Sequence, residues 1–367
     1  MEAREVRDGF RVIALRADNS GCAYYRLKEP ARAIREKYPE IEIRIDTGID
    51  VIAHQSKETG ETYVEHIKTD VDLIVIQRPL AQWFTPMIEQ AHRQGIAVIV
   101  ELDDDFANVH PKNLVWPSVQ PDQQPMSNYE WLREACSLAD RVTVSTDALT
   151  AYAPHGRVSV LPNYIARRNI GIHPLATRDG KPVRVGWSGT IQTHPTDLQV
   201  TKPGVNQALR DTGSELVIVG DGVGVRDALG VAKSISMTPT GWVDTDDYMR
   251  TLCGAMDIGI VPLEDSQFNA AKSHLKGLEY AACGIPFVAS PVAEYRALQE
   301  HGIGELAATS GDWRRLVGRW ARNEPLRIAT GEAYQSIVRE KFTLENHIDQ
   351  WVNAWRAAIS YRKSCTT

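Results

Sequence analysis

The stretch FNAAKSHLKGLEYAACGIPFVAS, Phe268 to Ser290, decides the fold. Its apolar residues recur at helical spacing and then give way to a turn and an apolar run, so it predicts a helix followed by a buried strand. Lys272, Lys276 and Glu279 share one face of that helix. Such a face is either a solvated ion-pair stripe or part of a phosphate site, because the N-terminus of a helix with lysines beside it attracts anions.

The same alternation of apolar runs and helical segments extends along the chain. Strands are predicted at residues 10–15, 72–77, 96–102, 183–189, 215–222, 257–263 and 285–290, and in the shorter segments RVTVS and RVSVLPN. Apolar strands separated by helices indicate doubly wound parallel sheets in an α/β protein. The pattern restarts after residues 163–182, which we take as the boundary between two domains. Helical spacing of apolar residues predicts a terminal helix over 344–362.

Composition narrows the class of protein. The 367 residues predict two domains at roughly 150 residues each. The formal net charge of −6 gives no whole-chain basic field for nucleic acid, although a local basic groove stays possible. Five scattered cysteines without a C-x-x-C pair argue against a disulfide framework and for a reducing cytosol. The charged N-terminus does not resemble a signal peptide and no run is long enough for a membrane span, so we expect a cytoplasmic protein.

Two segments invite specific interpretations. Residues 107–128 contain four prolines and no periodicity, which is typical either of a binding loop or lid or of a disordered surface loop. ELDDDF, residues 101–106, follows a buried strand. One aspartate there could cap the next element, or Asp103 or Asp104 could orient substrate hydroxyls. Adjacent aspartates also invite a metal interpretation, which we reject, so no metal ligands are predicted.

From residue 262 to residue 290 the chain resembles the donor-site signature of the retaining glycosyltransferases of the GT-B fold (family 4-like, group 1). RVGWSGT, ELVIVGDG and TGWVDTDDYMRTLCGAMDIGIVPL are similar to successive segments of the same family, and the resemblance is good over residues 135–295. It implies two Rossmann-like domains facing across a cleft. Residues 1–165 would bind the acceptor, residues 170–343 would bind the donor, and the helix 344–362 would pack back on the first domain.

The resemblance also implies roles for individual residues. Glu279 matches the family glutamate that binds the ribose, whereas Ala271 replaces the glutamate that usually touches the donor sugar. The usual Arg/Lys phosphate ligands are absent too, so we expect Lys272 and Lys276 to supply the charge. The expected donor-binding residues are Gly21, Ser188, Gly189, Thr190, Trp242, Val243, Lys272, Ser273, Lys276 and Glu279, and the expected catalytic residues are Lys272, Asp103 and Asp104.

Several of these assignments have plain structural alternatives. The segment Ser188 to Thr190 could instead be a plain tight turn, although we favour the phosphate role. Trp242 would stack on the base or lie in the core, which is the commoner fate of a tryptophan. Arg26 would reach a phosphate or, as we prefer, form a surface ion pair. His194 and His274 stand out among the histidines because both lie beside the expected phosphate site.

The function implied is metal-independent transfer of a sugar from a nucleotide-diphosphate sugar, with retention of configuration. A UDP-sugar is favoured over a GDP-sugar as the co-substrate, with no permanently bound cofactor. The acceptor (a glycan, protein, lipid or modified nucleic acid) is not identified. The missing glutamate leaves a second hypothesis open, a degenerate relative that binds nucleotide or glycan without turnover. A third, transfer to modified DNA bases, is weakened by the net charge of −6.

Overall fold

A computed structural model describes residues 9–57, 60, 62–120, 127–172 and 180–366. Residue contacts divide the chain into two compact units. Unit 1 comprises residues 1–109, 117–163 and 345–367, and unit 2 comprises residues 110–116 and 164–344. Part of the proline-rich segment thus belongs to unit 2, and residues 121–126 of it lie outside the described residues. No helix in the described ranges is long and apolar enough to cross a membrane.

Unit 1 is built on a parallel sheet. Its strands are β1 (Arg11–Leu15), β2 (Glu42–Asp46), β3 (Val51–Gln55), β4 (Thr62–Ile67), β5 (Leu73–Gln77), β6 (Ala97–Leu102), β7 (Arg141–Val144) and β8 (Val158–Val160). The sheet order is β2-β1-β5-β6-β7-β8, and every neighbouring pair is parallel. β5 and β6 are buried along their whole length, which explains why each is apolar apart from one polar residue near its end, Gln77 in β5 and Glu101 in β6. β3 and β4 form a separate antiparallel hairpin that the sequence analysis did not predict.

The helices of this part of the chain connect those strands. They are α1 (Gly21–Ala23), α2 (Glu29–Lys37), α3 (Phe84–Arg93), α4 (Trp116–Val119) and α5 (Asn128–Leu138), with a π-helical turn at Tyr24–Lys28. Gly95 follows α3 at a φ of +73°, the left-handed conformation that ends helices. Ser127 begins α5, since its hydroxyl accepts a hydrogen bond from the Glu130 N–H.

Unit 2 contains a second parallel sheet. Its strands are β9 (Arg184–Gly189), β10 (Glu215–Gly220), β11 (Met237–Pro239), β12 (Ile258–Val261), β13 (Phe287–Ala289) and β14 (Glu305–Leu306). The order is β11-β10-β9-β12-β13-β14, and all the neighbouring pairs are parallel. Counted along the chain this is 3-2-1-4-5-6, the order of dinucleotide-binding Rossmann domains. The expectation of two Rossmann-like parallel sheets is confirmed.

The helices of unit 2 connect the strands of that sheet, and several of them pack against it. They are α6 (Gly204–Thr212), α7 (Val225–Leu229), α8 (Thr245–Ala255), α9 (Gln267–Ala270), α10 (Leu275–Ala282), α11 (Ala293–Glu300), α12 (Ser310–Arg322) and α13 (Glu324–Lys341). The next helix, α14 (Leu344–His347), begins at the last residue of unit 2 and continues into unit 1. Thr309 and Asp312 form a reciprocal capping box that starts α12. Trp187 of β9 and Trp313 and Trp320 of α12 lie in the same buried cluster.

The C-terminal segment differs from the expected single helix over 344–362. Helix α14 ends at His347, and α15 (Asp349–Thr366) follows after a turn at Ile348. Ile348 is completely buried in that turn. Its burial keeps the apolar spacing intact across the break, so the sequence pattern could not reveal the interruption. Helix α15 belongs to unit 1 and contacts β5, β6 and β7.

Both interpretations of Arg26 from the sequence, a phosphate ligand and a surface ion pair, are wrong, because its side chain is buried and hydrogen-bonded to groups of the protein. Its guanidinium is 1% exposed and forms a 2.7 Å ion pair from Nε to Glu101 Oε1. The same side chain donates to the Leu161 carbonyl and to Asn163, and it lies over the Trp351 ring of α15. A buried arginine that joins four segments is part of the core of unit 1.

Two of the five cysteines form a disulfide, which the sequence analysis did not predict. Cys253 of α8 and Cys283, which ends α10, form a disulfide across 30 residues of sequence. The expectation that the scattered cysteines form no disulfide was therefore wrong for this pair. Spacing gave no indication of it because the two helices meet only in the folded unit.

Candidate functional site

The carboxyl ends of β9 and β12 lie at the point where the strand order of unit 2 reverses. In open parallel sheets ligands bind beyond the strand ends at such a point. Residues 190–197 follow β9 and residues 262–275 follow β12. The two loops are joined directly, since the Thr196 hydroxyl donates to Glu264 at 2.6 Å and the Glu264 N–H donates to Asp197 at 2.9 Å. This joined pair of loops carries the site described below.

The helix predicted from the opening stretch is broken. Helix α9 ends at Ala270, α10 begins at Leu275, and Lys272 and Ser273 lie between them. The break has a physical cause, because the two helices are anchored to different partners. Asn269 of α9 donates to Asp197 at 2.6 Å, whereas Tyr280 of α10 contacts the strand β9. Lys272 therefore lies on the approach to α10, rather than on one helical face with Lys276.

Lys276 is the most constrained cation of the site. Its ammonium donates to the Ser188 carbonyl and lies 5.1 Å from the centre of the Trp187 ring. Burial, and also the neighbouring charge of Lys272, lowers the pKa of Lys276 to about 8. The charged form is stabilised by a carbonyl and a ring face and lacks an ion-pair partner in the described ranges. An anion at this position would supply that partner.

His194 and Asp197 form a second charged element in the same loops. Nδ1 of His194 lies 2.7 Å from Asp197 Oδ2, and the imidazole packs edge-on against Trp187. Burial lowers the pKa of His194 to about 4, and Lys276 and Lys272 act in the same direction. The Asp197 pKa is lowered, because its hydrogen bonds and the His194 contact outweigh the effect of burial. The dyad is therefore a neutral imidazole held by an ionised carboxylate.

Glu279 lies on α10, one turn beyond Lys276. Its carboxylate is 5% exposed and accepts a hydrogen bond of 3.0 Å from the Tyr248 hydroxyl of α8. Burial, and the nearby Glu279 charge, raise the pKa of Tyr248, so this hydroxyl remains a donor at neutral pH. Glu279 thus has a fixed orientation before any ligand binds.

The three expected phosphate-binding residues after β9 have different environments. Ser188 is 1% exposed, and its N–H donates to the Tyr280 hydroxyl at 3.0 Å. Its side chain therefore faces the interior. Gly189 ends β9 at a φ of +138°, and a Cβ there would meet Lys276 Nζ at 3.2 Å. Only glycine allows the strand end to approach that lysine so closely, and Thr190 begins the loop beyond it.

The structure decides between the two alternatives for Trp242. Its side chain is 77% exposed, so it is not a core residue. Trp242 and the half-buried Val243 lie after β11, at the same edge of the sheet as Gly189. Val223, 74% exposed, follows the neighbouring strand β10. A large exposed ring at the strand ends is suited to stacking on a planar ligand.

The expected residues of unit 1 lie together at the carboxyl ends of β1, β5 and β6. Arg78 has a φ of +48°, the one non-glycine residue in the described ranges with a positive φ. Its guanidinium pairs with Asp18, and Nε lies 3.6 Å from Asp103 Oδ1. Gly21 begins the short helix α1 that follows β1, and a Cβ added to it would contact nothing within 4 Å. Arg78 compensates the charge of Asp103. Asp104, the next residue, is half-buried.

The described residues include a cluster whose side chains could supply ligands to a cation. Cys22, Asp103 and Asp104 bring one ligand atom each within 4.8 Å of one another. Burial, and then the Asp103 charge, raises the pKa of the Cys22 thiol, which disfavours the thiolate that a metal would need. Arg78 already provides positive charge to Asp103. The donor set therefore fits a metal ion poorly.

Several residues of the site were not singled out from the sequence. Tyr248 and Tyr280 follow the helical spacing of core residues and showed no separate signal. Arg78 directly follows a fully buried strand, and a charged residue there could have been noted. Asp197 lies three residues after His194, and its role depends on the joined loops.

Comparison with solved structures confirms the architecture. The chain is similar to Alr3699/HepE of Anabaena in complex with UDP and glucose, with 14% identity, a TM-score of 0.60, and coverage of 94% of this chain and 98% of that one. Sucrose-phosphate synthase of Thermosynechococcus elongatus gives 15% identity, a TM-score of 0.61, and coverage of 96% and 100%. An α,α-trehalose-phosphate synthase (UDP-forming) of Burkholderia vietnamiensis gives 12% identity and a TM-score of 0.56, with coverage of 95% of this chain and 98% of that one.

These likenesses and the two Rossmann-like sheets define the class: the protein has the GT-B fold. Within that class, residues 182–322 match the model of the family described as glycosyl transferases group 1. The matched segment covers most of unit 2 and includes both joined loops. A search of curated proteins found no match.

Proposed function

We propose that the protein transfers a sugar from a nucleotide-diphosphate sugar to an acceptor, with retention of configuration at the anomeric carbon. The bond between that carbon and the diphosphate oxygen breaks, and its electron pair leaves with the diphosphate. An acceptor oxygen bonds to the carbon on the same face, and the acceptor proton passes to the departing diphosphate. Catalysis is then mainly electrostatic, because cations stabilise the charge that develops on the leaving group.

The observation that carries this proposal is Lys276. It is buried at the strand-order reversal of a group 1 glycosyl transferase domain, close enough to Lys272 for their charges to repel. Neither the Ser188 carbonyl nor the Trp187 ring neutralises its charge. A diphosphate supplies two negative groups at the place where the chain concentrates two cations. Lys272 and Lys276 are accordingly the proposed phosphate ligands.

The nucleoside is proposed to extend from these lysines toward β10 and β11. Glu279, held by Tyr248, would accept from the ribose, and the exposed Trp242 ring would stack on the base. Uracil is the favoured base because HepE was solved with UDP and glucose and has the same fold. The catalytic roles of Asp103 and Asp104 of unit 1 stay predictions, as do the binding roles of Gly21, Val243 and Ser273.

The first experiment is a thermal-shift panel with UDP, GDP, ADP, CDP, dTDP and their common sugars, with and without EDTA. We expect UDP and a UDP-sugar to raise the melting temperature, and EDTA to leave the shift unchanged because the lysines supply the charge. Lys276→Gln should abolish most of the shift. Lys233→Ala is the matched control, since Lys233 is an exposed lysine before β11, away from the strand ends.

Turnover distinguishes the enzyme from a binding protein of the same fold. Release of UDP from a UDP-sugar, slow without acceptor and dependent on Lys276, would support the transferase. Binding without any sugar release or transfer, across a panel of acceptors, would favour the degenerate relative instead. A shift that appears only with a divalent cation would contradict the lysine-based mechanism.

A further inference from the structure

The His194–Asp197 dyad has a fixed hydrogen-bonding polarity. Asp197 Oδ1 accepts from the Glu264 N–H at 2.9 Å and from Asn269 Nδ2 at 2.6 Å. These donors hold the carboxylate in its ionised form, and its other oxygen faces His194 Nδ1 at 2.7 Å. An ionised carboxylate accepts only, so the ring proton lies on Nδ1. Nε2 is then a lone-pair acceptor.

This acceptor is otherwise unused. Nε2 of His194 makes no hydrogen bond within the described part of the chain. The nearby carboxylates already have hydrogen-bond partners. Asp197 is hydrogen-bonded to His194, to the Glu264 N–H and to Asn269, and Glu264 accepts from the Thr196 hydroxyl. The imidazole side chain is only 15% exposed, so its orientation is fixed by packing against Trp187 as well as by Asp197.

The chemistry of a neutral acceptor defines its ligand. Phosphate oxygens are acceptors, so they bind the lysines and cannot pair with the lone pair on Nε2. That lone pair requires an O–H or N–H donor. His194 follows β9, and its loop joins the loop after β12, on the side of the sheet opposite β10 and β11. A nucleoside at β10 and β11 and a diphosphate at the lysines leave the transferred sugar on the His194 side.

We propose that His194 accepts a hydrogen bond through Nε2 from a hydroxyl of the transferred sugar, and that Asp197 acts as its positioning residue. The inference rests on the proposed function and adds the residue that recognises the sugar. The protein then distinguishes a sugar nucleotide from the bare nucleotide through a histidine. A phosphorylated or deoxygenated group at that hydroxyl would leave the lone pair without a donor and would bind less well.

The test compares UDP with UDP-glucose by calorimetry on the wild type, His194→Ala and His194→Gln. Loss of one hydrogen bond should weaken UDP-glucose binding to His194→Ala by about tenfold and leave UDP within about twofold. His54→Gln, in the hairpin of unit 1, is the control and should bind both ligands as the wild type does. Equal losses for both ligands would overturn the inference and leave the proposed function standing.

Nitrogen-15 NMR of histidine-labelled wild-type protein provides a readout that needs no variant to fold. We expect His194 to carry its proton on Nδ1 at pH 7.5 and the Nε2 resonance to move with UDP-glucose, but little with UDP. Protonation of Nε2 in the UDP complex would instead make the ring a phosphate ligand and would overturn the inference. Absence of any UDP binding would overturn the proposed function together with this inference.

Discussion

The Tyr248 hydroxyl donates a 3.0 Å hydrogen bond to Glu279 Oε2, so helix α8 fixes the carboxylate that helix α10 carries. The same two helices are linked by the disulfide between Cys253 and Cys283. A carboxylate whose partner lies on another helix keeps its orientation only while the two helices stay together. The proposed nucleotide site of unit 2 would therefore depend on contacts between protein helices as well as on contacts to the nucleotide.

Removal of the Tyr248 hydroxyl tests this dependence. Tyr248→Phe leaves the buried Glu279 without its donor, so we expect the free energy of unfolding to fall by about 1–3 kcal/mol. UDP affinity should fall several-fold, because the carboxylate loses its fixed orientation. Calorimetry and denaturant melts measure the two effects. Tyr334→Phe is the matched control, since its hydroxyl accepts from the Gly304 N–H elsewhere in unit 2 and should affect stability alone.

The lowered pKa of Lys276 predicts a pH dependence of binding. Lys276 loses its proton as the pH rises through about 8 in the free protein, and a diphosphate binds the charged form. UDP affinity should therefore be highest below pH 8 and fall by up to about tenfold per pH unit above it. Lys276→Arg stays charged throughout and should show no such fall between pH 7 and 9.5. A wild-type affinity that is flat over this range would contradict the assignment of Lys276.

The buried ion pair of unit 1 predicts a large loss of stability on substitution. Arg26→Met leaves the Glu101 carboxylate, 3% exposed, without its charged partner. Breaking a buried pair in this way costs about 3–5 kcal/mol. The control is Arg11→Met, whose partner Asp70 is 76% exposed, and it should cost about 1 kcal/mol or less. Denaturant melts that gave equal losses would show that Arg26 is less important to the core than its contacts indicate.

The disulfide predicts a stability that depends on the redox state. Reduction, or Cys253→Ser, removes a cross-link that closes a loop of 30 residues, and the chain-entropy relation gives about 3.6 kcal/mol for a loop of this length. The melting temperature should fall on addition of a reductant, and the variant should no longer respond. Cys365→Ser, at an exposed free cysteine, should behave as the wild type. Mass spectrometry that found both thiols free in the non-reduced protein would contradict the linkage.

The alternation of strands and helices was predictable because it is a local property. Strand β6 shows this well, since all six of its residues are buried and five of the six are apolar, a pattern that can be recognised in the sequence. Hairpin β3–β4 was not predictable from the same signal, because most residues of β3 are exposed and polar residues interrupt its pattern. The break between α9 and α10 was missed for another reason. It depends on Asn269 bonding to Asp197, 72 residues away in sequence.

Some residues of the candidate site could be predicted from the sequence and others could not, for the same reason. Lys276 and Glu279 could be chosen from a quoted motif, because their spacing on α10 is fixed by the helix itself. The position of Arg78 after a buried strand could have been noted, but the contacts of Arg78 and Tyr248 could not be predicted, because their partners approach from distant segments. Arg26 shows the opposite failure. A charged residue predicted at the surface is buried, since Glu101 and two further acceptors compensate it in the core.

The two ends of the main segment of unit 2 are neighbours. Ile165 donates to the Phe342 carbonyl at 3.0 Å, and Leu344 donates to the Ile165 carbonyl at 2.9 Å. Residues 164–344 therefore form a continuous insert whose ends are already joined, while unit 1 resumes at residue 345. We expect such an insert to be exchangeable as a cassette, with the host keeping its own terminal helix and the short segment 110–116, which also belongs to unit 2, replaced together with it.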